Sequence, residues 1–319
     1  MQVIKKILGY LGGLHYPQDF LCLAQESFAP VLRAYIVSDQ RVLADVTTRH
    51  LFNGYSPVIF SFAPGTEGLT GEKSELLLTH EPLRINDILT RRVALAGLRL
   101  QRMDVPAAPL FYECTDGWHR FVPTVAQLAG RLQNRLYNRK KGNVYLAGNL
   151  HTQVQVAYAI PRKISLVTVP TAGGYNLFPT DLHGRLDDDT YIISLRHGGM
   201  ACSQVEASGG FVLSDMKAVE CKKVFALGRN HMQPGKDRAA FDFGAAESPV
   251  FRLPLPDGMV SCKELEVLST FQKGIHKILV CRIVSASPVA PLGGTLAHVH
   301  NSYATWRYKN HLASNYIMR

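Results

Sequence analysis

Short apolar or alternating runs, broken by glycine, proline and polar clusters, recur along the whole chain. In the first half they fall at Val31 to Ser38, Val58 to Phe62 and Val93 to Leu100. In the second they fall at Ile164 to Val169, Tyr191 to Leu195, Gly210 to Leu213 and Lys277 to Val284. Each has the length and β-branched content of a strand. Helical periodicity is sparse: it predicts helices at Thr124 to Asn138, at Ala201 to Ala207 with a stop at Gly209-Gly210, and at Cys221 to Leu227. Many short strands separated by turn residues predict a mainly β fold, with a barrel or sandwich in the second half. The first half, strands closed by one helix, reads as an additional α+β region.

The polar stretch Lys140-Lys141-Gly142-Asn143 ends the longest predicted helix and marks a boundary. This divides the chain into 1–142, a barrel over 143–290, and an extension over 291–319. Gly293-Gly294 opens that extension, and its His298, His300, Tyr303 and Trp306 predict a docked segment rather than disorder. No repeat is visible in the sequence.

Composition narrows the classes. A chain of 319 residues with 46% apolar content suits two domains. No run approaches the roughly 18 apolar residues of a membrane span, so no membrane partner is expected. Lys5 and Lys6 precede an apolar run at Ile7 to Leu14, but three glycines interrupt it and no small-residue cleavage site follows, so the expectation is cytoplasmic. The six cysteines contain no C-x-x-C pair and read as reduced, buried thiols.

A net charge of +10 attracts anions of any kind. The densest basic segment, Arg131 to Lys141, repeats Arg131, Arg135 and Arg139 every four residues, as on one helix face. Tyr137 is its only aromatic residue, so a solvated face is preferred to a nucleic-acid patch.

Several motifs fail. Gly65, Gly68 and Gly71 precede Lys73-Ser74, but Glu72 stands where a phosphate loop needs glycine. His298 and His300 lack a nearby Cys or carboxylate in sequence and make a poor metal pair. Asp187-Asp188-Asp189 reads as a solvated turn before the strand at Tyr191.

The segment PRKISLVTVPTAGGYNLFPTDLHG, from Pro161, predicts a hairpin turning at Gly173-Gly174 with an unusually polar return. Asn176, Thr180, Asp181 and His183 offer donors and acceptors suited to a heteroaromatic ligand, or simply to solvent on an edge strand. Next, Ser194 and Arg196 sit two residues apart at the end of a strand, on one face, before a short helix. Such a group suits phosphate, although Arg196 also fits an ordinary surface position.

In this order the segments PRKISLVTV, NLFPT, ISLR, VEASGGFVL and GIHKILVCRIV resemble the flavin reductase-like family of FMN-binding split barrels, relatives of the pyridoxamine phosphate oxidase superfamily. The resemblance covers about residues 154–288. It implies a split barrel, commonly homodimeric, holding FMN in a groove. By that resemblance Asn176, Pro179 and Thr180 line the flavin ring, Ser194 and Arg196 approach the phosphate, and His276 lies near the flavin or the incoming nicotinamide.

Departures accompany it. Ala201 and Gln204 stand where many relatives carry Thr and Asn, Ile275 replaces an acid, and Ser203 is the neighbour able to restore the lost hydroxyl. The implied activity is passage of hydride from NADH or NADPH through FMN to a small-molecule acceptor. A non-enzymatic FMN-binding electron carrier, and a degenerate barrel used as a binding module, remain the alternatives.

Overall fold

Alternating apolar positions become strands in both halves of the chain. The computed structural model describes residues 7, 9–16, 18, 20–25, 32–65, 74–89, 92–105, 110–138, 144–287, 294–312 and 316–317. Val31, the loop residues Gly68, Gly71, Glu72 and Lys73, the expected boundary at Lys140 to Asn143, and Gly293 lie outside them. Contacts divide the chain into two units. One comprises Met1–Leu21, Ala29–Pro161 and Val299–Ser314; the other comprises Cys22–Phe28, Arg162–His298 and Asn315–Arg319.

After β1 (Phe20–Gln25), the first unit builds one antiparallel sheet. Its strands are β2 (Arg33–Ser38), β3 (Arg41–Asp45), β4 (His50–Tyr55), β5 (Val58–Phe62), β6 (Glu75–Thr79), β7 (Ala96–Arg102) and β8 (Leu110–His119). They lie in the order β3-β2-β6-β7-β8-β5-β4. Tyr35, Val37, Val42, Leu77 and Ala94 form a core on one face, with the two-residue period of a strand visible along β2. Helices α1 (Thr124–Tyr137) and α2 (Leu150–Ala157) follow. Helix α2 is buried from Thr152 to Ala157. It packs on β8 at Gly117, where a Cβ would stand 2.9 Å from Leu98 Cδ2 and 3.2 Å from Gln153 Cα.

The second unit contains β9 (Arg162–Lys163), β10 (Ser165–Thr171), β11 (Gly174–Thr180), β12 (His183–Arg185), β13 (Thr190–Arg196) and β14 (Gly210–Met216). Helix α3 (Met200–Ser208) joins the last two, and α4 (Cys221–Ala226) follows β14. The small strands β15 (Phe243–Glu247) and β16 (Pro254–Pro256) precede the long pair β17 (Met259–Lys273) and β18 (His276–Ala286). Then come β19 (Thr295–His300), helix α5 (Asn301–Lys309), which begins in the first unit's final segment, and β20 (Tyr316–Ile317).

The main sheet of this unit runs β11-β10-β14-β17-β18-β13-β12 and curls into a half-barrel. Inward positions alternate along each strand: Val167 and Val169, Tyr191, Ile193 and Leu195, Phe211 and Leu213, Leu279 and Cys281. They close on Ala201, Cys202 and Val205 of α3. The opposite face packs Leu166, Leu177 and Met216 against Cys221 and Val224 of α4. A single apolar interior and an outer apolar face together explain why these strands read as continuous rather than alternating runs.

The two sheets share one topology. Counting each set of seven from its first strand, both run second, first, fifth, sixth, seventh, fourth, third. In both, the connection between the fifth and sixth strands covers the free edge of the second. Val42 N donates to Asp87 O and Leu89 N to Gln40 O along β3, while Tyr175 of β11 exchanges both backbone bonds with Lys236 at 2.8 Å. Covering that edge removes a template for unwanted strand pairing. All six cysteines are buried and unbridged.

Candidate functional site

The polar return of the hairpin is the outermost strand of its sheet. Its outward carbonyls are met one by one by the segment after α4. Tyr175 O accepts from Lys236 N. Leu177 O accepts from Asn230 Nδ2 at 2.8 Å, and Pro179 O accepts from His231 Nε2 at 2.7 Å. Pro179 occupies an outward position, where its missing N–H removes no ladder bond. Glycine makes the approach possible: Gly174 has φ 112°, and a Cβ there would overlap Lys236 O, while one on Gly235 would run into Thr171 Oγ1.

Asn176 points the other way, toward α3. Its Nδ2 donates to Gln204 Oε1 at 2.6 Å and to Asn230 O at 3.1 Å. Gln204 Nε2 in turn donates to Gln233 O at 3.1 Å. Beside this junction an open groove of about 540 Å³ lies between the hairpin tip and the helix, lined by Thr171, Met200, Ser203, Gln204 and Ser208, among others. Thr171 Oγ1 is buried and has no hydrogen-bond partner, and the same is true of Asn176 Oδ1. Helix α3 begins at Gly199 with no side chain capping its amides, which leaves partial positive charge at that end. Arg196 is exposed three residues earlier.

Ser194 and His276 form a second, buried pair. The register of β13 against β18 sets Arg196 opposite His276, and Ser194 Oγ lies 3.2 Å from His276 Nδ1. Burial, reinforced by the Arg196 charge and opposed by Asp181, pushes the His276 imidazole down to about 4. It is therefore neutral at pH 7 and only 1% exposed.

Nearby, Asp181 Oδ2 accepts from His298 Nδ1 at 2.7 Å and pairs with Arg162 at 3.3 Å. Burial works against the Asp181 charge, but Arg162 and His298 outweigh it and hold the carboxyl below its ordinary range. A further carboxylate, Asp215, is buried among Lys163 Nζ at 2.9 Å, Ser165 Oγ at 2.6 Å and Ser261 Oγ at 2.7 Å. With its oxygens all engaged, this group fixes the strands β10, β14 and β17 to one another.

The sequence-selected residues thus fall into three places. Asn176, Pro179 and Thr180 lie on β11, and Asn176 is locked to α3. Ser203 lines the open groove. Ser194 and His276 are paired inside the sheet, with Arg196 exposed at the end of β13. Sequence reasoning missed Asn230 and His231, which close the hairpin edge; the length of chain between β14 and β17 is the only signal that something must cover it. His300 accepts from Ser302 N at 3.2 Å as the cap of α5, and Asp187 accepts from Thr190 N at 2.7 Å in a turn. Among the described residues no group of three or more His, Cys, Asp or Glu side chains is arranged to hold a metal.

No family model and no curated protein matches the chain. Solved structures do. An NADH:FAD oxidoreductase of Streptomyces globisporus is 17% identical, with 47% of this chain and 88% of that one covered and a TM-score of 0.41. BorF, the flavin reductase component of a bacterial two-component tryptophan halogenase, is 16% identical, with 47% and 92% covered and a TM-score of 0.41. An FMN-binding protein from Thermus thermophilus is 19% identical, with 40% and 71% covered and a TM-score of 0.35. Each of these likenesses covers somewhat less than half of this chain.

Proposed function

We propose that the second unit binds FMN in the groove between the hairpin tip and α3 and acts as an NAD(P)H-dependent, flavin reductase-type oxidoreductase. The observation that supports this is the polar lining of the groove, Ser203, Gln204 and Ser208, beside an uncapped helix start. Arg196 and Ser203 are the residues to hold the phosphate, and Gln204 the polar group for the edge of the ring, with Asn176 fixing Gln204 in place from behind. Pro179 and Thr180 stiffen the strand behind them.

The chemistry a bound FMN supplies is acceptance of hydride from NADH or NADPH and release of electrons to a small-molecule acceptor. The chain's own part is to bind, orient and exclude water. His276, neutral at pH 7, serves as a hydrogen-bonding support for Ser194 and the β13 strand end rather than as a charged group. That burial favours a second reading, an FMN-binding electron carrier in the cytoplasm, in which no imidazole takes part in turnover. Homodimer formation through the half-barrel belongs to the same proposal.

The test is the visible spectrum of the purified protein before and after FMN, then with NADH or NADPH under anaerobic conditions. Bound flavin that bleaches with nucleotide supports the reductase, and bound flavin that persists supports the carrier. No bound flavin, or equal FMN affinity in an R196Q/S203A variant, overturns the site.

A further inference from the structure

Helix α1 is inside out. Its inward positions are small or polar: Ala126 and Asn134 are buried, and Gln127, Gly130 and Gln133 are half-buried. Gln127 Nε2 donates to His119 O and Val122 O at 3.1 Å, and Asn134 Nδ2 donates to Leu146 O at 2.7 Å. Its large apolar residues face outward instead. Val125 is 74% exposed, Leu128 and Leu132 are each 57%, and Leu136 is 59%.

At about 100° per residue these four side chains fall within an arc of about 80°, forming one stripe along roughly 16 Å of helix. Arg131 and Arg135 are exposed in a row along one side of it, with Arg131 also donating to Thr152 Oγ1 at 3.2 Å. The helix contains no acidic residue, and in the sequence Arg139, Lys140 and Lys141 follow directly after Asn138.

We propose that α1 is a peripheral membrane-docking element, seating its leucine stripe in the interface of an anionic phospholipid surface. An apolar stripe rimmed by arginine is what such a surface takes up: the aliphatic residues enter the acyl boundary and the guanidinium groups stay among the phosphates. A second copy fits poorly, because pairing two α1 helices brings arginine rows together with no acidic residue to receive them. A soluble acidic partner fits poorly as well, since four side chains are few beside the roughly 20–30 residues a side that a stable interface enlists. Nucleic acid needs stacking platforms, and the stripe offers aliphatic carbon. The stripe belongs to the first unit and the proposed flavin groove to the second, so this inference does not rest on that one.

The test uses the full chain and sedimentation with sucrose-loaded vesicles, either pure phosphatidylcholine or phosphatidylcholine with phosphatidylglycerol. Binding is expected to the anionic vesicles alone and to weaken in 0.5 M NaCl. L128Q/L132Q is expected to lose at least tenfold in vesicle affinity with an unchanged melting temperature, because both sites are exposed. R135Q is expected to lose about fivefold, the worth of one basic residue at such a surface. Absence of binding to anionic vesicles, equal binding by L128Q/L132Q, or concentration-dependent self-association that L128Q/L132Q abolishes overturns the proposal.

Discussion

Asn176 Nδ2 donates to Gln204 Oε1 at 2.6 Å, and this bond ties the edge strand of the hairpin to the helix that borders the groove. The same amide reaches Asn230 O, so one buried side chain joins three segments widely separated in sequence. Asn176→Ala removes both bonds and leaves Gln204 Oε1 without this donor, while Asn230 O keeps only Gln233 N. A loss of about 1–3 kcal/mol is expected in urea unfolding, along with easier proteolysis near Asn230. A variant as stable as the parent would show that the junction does not hold the segment.

The close approach at Gly174 is harder to replace. Alanine there meets both a positive φ and a backbone oxygen, Lys236 O, that cannot swing away. Gly174→Ala is expected to cost about 2 kcal/mol or more. Hydrogen exchange would locate the damage: the amides of Tyr175 and Lys236 should lose protection ahead of those in β14 and β17.

Helix α1 offers a change of opposite sign. Gly130 lies mid-helix, and a Cβ there would sit 3.5 Å from His151 Cε1, an ordinary contact. Gly130→Ala should therefore stabilise by about 0.5–1 kcal/mol, because alanine surrenders less backbone freedom. A fall in melting temperature would mean that the polar space lined by Gly130, Asn134 and Gln155 does not tolerate a methyl group.

Buried histidines set an acid limit. His276 is held to about 4, chiefly by burial, against an ordinary value of about 6.5. The unfolded chain takes up a proton below about 6.5 that the folded one refuses. The stability that His276 contributes is therefore complete above pH 6.5 and is lost as pH falls toward 4. Burial also lowers His183 to about 4, and it acts in the same direction. Between pH 6.5 and 4 each such group adds a slope of up to about 1.4 kcal/mol per pH unit. Urea midpoints at pH 7.5, 6 and 5 measure it, and His276→Asn should flatten the slope by up to one proton. An unaltered slope would mean that His276 titrates as in the unfolded chain.

Strands were legible where apolar residues run continuously. Val58–Phe62 forms as expected, and Tyr191–Leu195 and Lys277–Val284 lie within β13 and β18, because such runs need cover on both sides and a sheet supplies it. Helix α3 was legible from its stop at Gly209, which has φ 68°. The matching order of the two sheets was not legible. Strand order is fixed by which edges meet, and a sheet of the same order can be filled by Tyr35 and Val42 in one place and by Val167 and Phe178 in another. The capping of β11 was equally hidden, since Asn230 and His231 carry no periodicity. The basic row on α1 was read correctly as a helix face. The sequence assigns no face to its leucines, and only the polar partners of Gln127 and Asn134 reveal which side faces in.

The shared strand order has a consequence for how the chain is made. In each sheet the first strand must wait for the fifth, as β2 waits for β6 and β10 for β14, and the fourth must wait for the seventh, as β5 waits for β8 and β13 for β18. Pairings so distant in sequence close slowly and late. A ribosome that has released β11 but not β18 has therefore exposed a hairpin with no barrel to join, and this happens twice per molecule. The connections that cover β3 and β11 emerge just after the fifth strand of each set, so the bare edge is shielded before either sheet is complete.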